Sequence, residues 1–98
     1  MASKADESKA PVLDFNALIL SLGSSALVHL GEAPDPTGQK REQPDFTMAQ
    51  QSIDLLAMLQ EKTRGNLTAD EVRFLDNMLY DLRVLYLQVT QRQSSQKK

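Results

Sequence analysis

Three stretches of the 98-residue chain repeat apolar positions at helical spacing, separated by segments rich in polar residues, proline or glycine. In the first, Phe15, Leu18, Ile19, Leu22, Ala26 and Leu30 share one face of a helix predicted over residues 15–30. Leu13, Leu20 and Leu27, seven apart, form a second stripe. Asp14 is placed to cap this helix, Leu13 and Leu18 have the spacing of a hydrophobic staple, and Gly31 stands where a glycine ends a helix. No charged side chain interrupts either stripe, and a helix apolar on more than one face has to be covered on more than one face.

The second helix is predicted to open at Asp45 or Thr47, where Thr47 and Gln50 have capping-box spacing. Phe46, Ala49, Ile53, Leu56 and Ala57 line one face, and Met48, Leu55 and Leu59 widen it. A third helix is predicted over residues 69–91. Its Val72, Leu75, Leu79, Leu82, Tyr86 and Val89 alternate spacings of three and four, a seam of period 3.5. Phe74, Met78 and Leu85 broaden the seam, and Leu87 and Val84 leave apolar surface beyond it.

The stretch between the last two helices has the most specified local chemistry. Lys62 and Arg64 suit the negative end of a helix dipole, and Gly65 enters the left-handed conformation that stops a helix. Thr68 and Glu71, three apart, form a capping box in which each side chain accepts from the other residue's amide. Asp70 and Glu71 suit the positive end of the next helix, and Leu67 and Val72 have staple spacing. The chain therefore predicts an all-α fold of three helices: helices two and three form an antiparallel hairpin, and the apolar helix one packs on it in a homodimer.

Residues 1–12 are small and charged with Pro11 near the end, a composition predicted to form a disordered tail ahead of a helical domain over 13–91. Residues 92–98 are polar and predicted to fray. The linker 32–45 carries three prolines and a glycine among alternating charges, and a mobile connector is expected.

Composition narrows the function classes. A chain without cysteine has no disulfide, thiol nucleophile or cysteine-bound zinc, and one histidine does not build a metal site. A net charge of −2 gives no basic field for a phosphate backbone, so no nucleic acid partner is expected. No small-residue cleavage site follows the apolar run, so a secretory signal is not expected and the cytoplasm is the expected location. The uncharged run between Asp14 and Glu32 spans roughly 25 Å as a helix, short of the roughly 30 Å hydrocarbon core. A membrane span is therefore not expected. Peripheral attachment through helix 15–30 is the alternative to a protein interface.

Candidate chemistry is sparse. His29 has no partner at catalytic spacing and reads as a capping or interface residue. Ser24 and Ser25 lack a nucleophile elbow and a base. Gly65 stands alone where a phosphate cradle repeats its glycines, and Asp70 and Glu71 repel an anion there. No catalytic, cofactor-binding, metal or small-molecule site is predicted, and the chain is not expected to be an enzyme. The possible partner-binding element is the turn Lys62, Thr63, Arg64, Gly65 and Asn66, with Lys40 and Arg41 of the linker as candidates to extend its basic character.

A leucine-glycine helix end, a proline-bearing linker, and the run I-D-L-L-A-M-L-Q-E-K-T-R-G-N-L-T-A-D-E from Ile53 to Glu71 together resemble a bacterial family, the domain of unknown function 1844. The similarity runs from about Phe15 to Tyr86. It is most specific over Ile53 to Leu59 and Lys62 to Glu71. The resemblance implies a small all-helical bacterial protein and brings no activity, cofactor or active site. The function expected is a non-enzymatic module for protein interaction or oligomerisation, with itself and an unidentified protein as partners.

Overall fold

The computed structural model describes residues 14–96, so the expectations for residues 1–12, for Leu13 and for the last two lysines lie outside the described residues. Three helices follow in order: α1 (Phe15–His29), α2 (Phe46–Lys62) and α3 (Ala69–Gln96). No strand occurs among the described residues. α1 packs on both other helices, most extensively on α2.

Local hydrogen bonds explain where each helix begins and ends. The Asp14 carboxylate accepts from the Ala17 amide (2.8 Å) and starts α1. At the other end the Glu32 amide donates to the Leu27 carbonyl and the Gly31 amide to that of Val28, while Gly31 takes φ +78°. This is a Schellman ending, and a Cβ at Gly31 would lie 3.1 Å from the Arg41 carbonyl oxygen. Asp45 caps α2 by accepting from Met48 (3.0 Å), which settles the choice between Asp45 and Thr47. In α3 the capping box is complete: the Thr68 amide donates to Glu71 Oε1 (2.9 Å) and the Glu71 amide to Thr68 Oγ1 (3.1 Å).

The core gathers Ile19 and Ala26 of α1, Ile53 and Leu56 of α2, and Leu75, Leu79 and Leu82 of α3. A second cluster joins Leu30, Ala49 and Val89, with Phe46 and Tyr86 edge-to-face at 5.4 Å between ring centroids. Four of the six predicted seam residues of α3 are buried, whereas Val72 at the helix start is 43% exposed. Leu18 and Leu20, predicted to be covered, are 45% and 54% exposed. They project from opposite flanks of the Ile19 ridge, and α2 and α3 together cover a single face of α1. Of Ser21, Gly23, Ser24 and Ser25 in α1, Gly23 alone is buried; an added Cβ would meet Met78 Sδ at 2.5 Å.

One expectation is corrected. α3 does not end at Gln91 but continues to Gln96, because no glycine or proline stops it. Arg92 also pairs with Glu32 (3.2 Å), sixty residues away in sequence. The linker carries its own hydrogen bonds. Asp35 Oδ1 accepts from the amides of Thr37 (2.9 Å) and Gln39 (3.0 Å) and from the Thr37 hydroxyl, and the Gly38 amide donates to the Asp35 carbonyl (2.8 Å). The Thr37 hydroxyl, followed by the Gln39 amide, holds the Asp35 carboxyl below its ordinary range. The linker then returns to α1, where the Asp45 amide donates to the His29 carbonyl (2.7 Å).

Candidate functional site

The turn between α2 and α3 is built by three successive devices. Thr63 closes α2: its amide and its hydroxyl both donate to the Leu59 carbonyl, at 3.0 and 2.6 Å. The Asn66 amide donates back to the Thr63 carbonyl (2.8 Å), and Gly65 between them takes φ +85°, so the left-handed residue lies inside a tight turn two positions beyond the cap. The capping box of Thr68 and Glu71 then starts α3. Arg64 pairs with Glu61, and Arg73 with Asp70, all on exposed side chains where such pairs contribute little stability.

A hollow of about 310 Å³ opens beside this turn. Leu67, Val72 and Leu75 give it apolar surface, and Gln60, Asp76 and Arg64 give it polar surface. Gln60 Nε2 donates to Asp76 Oδ1 (2.6 Å), which ties the last turns of α2 to the first turns of α3 at the edge of the hollow. Leu67 and Val72, paired by spacing in the sequence, face the same space. Of the five turn residues singled out from sequence, Thr63, Arg64 and Gly65 line the hollow, and Lys62 and Asn66 are exposed beside it. The apolar lining and the link between Gln60 and Asp76 escaped sequence reading, because each depends on two helices meeting. The staple spacing was the one signal that pointed there.

Lys40 and Arg41 do not extend the turn. They precede α2 while Lys62 ends it and Arg64 follows it, and the 17-residue helix, about 25 Å long, lies between the two pairs. The Arg41 Nε donates instead to the Gln43 carbonyl (3.1 Å). His29 closes α1, and its Nδ1 is buried without a hydrogen-bond partner. It borders a second, open hollow of about 530 Å³ between the back of α1 and the linker, with Ser21, Ser24, Ser25 and Asp35. Within this cluster the Asp35 Oδ1 accepts from Thr37 and Gln39, and no hydrogen bond joins the carboxylate to the His29 Nδ1.

No group of three or more potential metal ligands occurs among the described residues, and no helix among them is long and apolar enough to cross a membrane. Fold and turn together define a small all-α protein with a hollow beside a helix-helix turn. A family model for a domain of unknown function, DUF1844, matches residues 12–88, and the chain belongs to that family. No curated protein and no solved structure matches the chain.

Proposed function

We propose that the chain is a non-enzymatic interaction module of the bacterial cytoplasm that acts as a homodimer. In this reading α2 and α3 form an antiparallel hairpin whose turn takes a protein partner. The hairpin is supported by pairs at both ends: Gln60 with Asp76 next to the turn, and Phe46 with Tyr86 far from it. The observation that carries the reading is the apolar surface left outside: Leu18, Leu20, Leu55, Met58, Tyr80 and Leu87 are each 43–69% exposed. Isolated exposed leucines are ordinary. Six large apolar side chains on a chain this short, some of them neighbours, point to a partner.

Light scattering behind a sizing column, across a dilution series without detergent, tests the assembly. A dimer is expected at micromolar concentration. A monodisperse monomer throughout ends the homodimer reading, and aggregates cleared by detergent favour peripheral membrane attachment through α1.

The turn is tested separately with a small probe. A hollow of about 310 Å³ lined by Leu67, Val72 and Leu75 suits one apolar side chain. N-acetyl-leucinamide, with about twelve heavy atoms, is expected to bind at about millimolar strength. Its binding should shift the backbone amide resonances of Gly65, Leu67 and Val72. Unmoved amides at tens of millimolar probe would remove the turn as a docking point.

A further inference from the structure

We infer that Met78 is a redox-sensitive latch between α3 and α1: a peroxide-class oxidant converts its thioether to the sulfoxide, and the sulfoxide loosens α1 from α3. The inference stands on the packing of these two helices and is independent of any partner.

The contact starts from Gly23, the buried position of α1 where a Cβ would lie 2.5 Å from Met78 Sδ and 3.0 Å from its Cε. A carbon-carbon bond adds about 1.5 Å to the first distance, so Sδ lies within about 4 Å of the Gly23 Cα. The sulfur rests on the main chain of α1. On its other sides Met78 packs against the core of Ile19, Ala26, Leu75, Leu79 and Leu82, yet the side chain is only half-buried, so a small oxidant reaches it from solvent. The surface methionines differ. Met48 and Met58 are 39% and 48% exposed and belong to neither core cluster, so their oxidation alters the surface alone. Among the described residues, Met78 is the one methionine whose oxidation reaches a helix-helix contact.

Oxidation adds one oxygen and changes the chemistry of the contact. A sulfur lone pair attacks one oxygen of hydrogen peroxide, the O–O bond breaks as the S–O bond forms, and the other oxygen leaves as water. Sulfur gives up two electrons and peroxide takes them. The new oxygen is a hydrogen-bond acceptor. The amides around Gly23 are engaged within α1, so an oxygen turned inward meets no donor and overfills a contact that has no room to spare. Turned outward, it reaches water and draws the thioether off Gly23, which leaves a gap between the helices. Either rotamer weakens the same contact. Ile19, Ala26 and Leu30 still join α1 to the two core clusters, so α1 is loosened and the fold is kept.

The test treats the purified chain with hydrogen peroxide, follows each methionine by peptide mass mapping and follows melting by circular dichroism. The chain has no cysteine to compete for the oxidant. Conversion of Met78 is expected to lower the melting temperature by about 4–8 °C, in step with the Met78 sulfoxide fraction and not with those of Met48 and Met58. Amide hydrogen exchange should quicken around Gly23. Met78→Leu keeps the volume and removes the sulfur, so its melting should ignore peroxide, whereas the double variant Met48→Leu, Met58→Leu should respond as the wild type does. A Met78 that resists peroxide in the folded chain, a melting temperature unmoved by its full conversion, or an equal drop in Met78→Leu each overturns the latch. Should Met78→Leu fail to fold, the wild-type time course decides, because melting then has to follow the conversion of one methionine among several.

Discussion

Leu56→Ala is expected to cost about 3 kcal/mol and to lower the melting temperature by roughly 12–24 °C. Leu56 is fully buried, in one cluster with Ile19 of α1 and Leu75, Leu79 and Leu82 of α3, so the space left by truncation is walled by all three helices. A chain of 98 residues has a total stability of about 5–10 kcal/mol, and this one loss removes a large part of it. Leu55, one residue earlier and 43% exposed, provides the internal control. Leu55→Ala should cost less than about 1 kcal/mol. Urea titrations followed by circular dichroism read both variants, with the midpoint moving and the slope unchanged for Leu56→Ala. A loss under about 1 kcal/mol for Leu56→Ala would mean that the helices close over the gap and that the core is not centred where the structure places it.

Gly23→Leu is expected to destabilise the chain by about 3 kcal/mol or more. A Cβ at this buried position would lie 2.5 Å from Met78 Sδ and 3.0 Å from its Cε, so even the first carbon of a side chain displaces Met78. A leucine has to push α1 away from α3 as well, and overpacking at this level strains the backbone. Gly23→Ala separates two opposing effects. Alanine favours the helix by about 1 kcal/mol over glycine, and the flexible thioether of Met78 can swing aside, so a change near zero is expected. The cause is checked by a double-mutant cycle. Met78→Ala in the Gly23→Leu background should recover part of the loss, with a coupling of at least about 1 kcal/mol. If Gly23→Leu melts like the wild type, α1 does not approach α3 at this point.

These two sites mark the limits of sequence reading. Gly23 is one of several small residues in α1, and nothing in the sequence pattern separates it from Ser21, Ser24 and Ser25, which are exposed. The difference lies in Met78, fifty-five positions away. Leu55 and Leu56 are both apolar positions on the broad face of α2, and their burial differs because α1 and α3 cover one flank and leave the other. Ser52, polar in sequence and 7% exposed, went unread for the same reason. In the candidate site the turn and its caps were legible, and the hollow was not. Its apolar lining is assembled from Leu67 and two residues of α3, and closed by a bond from Gln60 to Asp76.

What the sequence determined by itself is local. Asp14, Gly31, Thr68 and Glu71 set helix ends because each acts on backbone groups within five residues, and apolar periodicity named the three helices because a helix repeats every 3.6 residues whatever surrounds it. Tertiary structure decided the rest: the exposure of Leu18, Leu20 and Val72, the extension of α3 to Gln96 with Arg92 on Glu32, and the return of the linker from Asp35 to His29. Burial is a property of a pair of surfaces, and a helix with several apolar stripes leaves open which of them its neighbours cover until the helices are assembled.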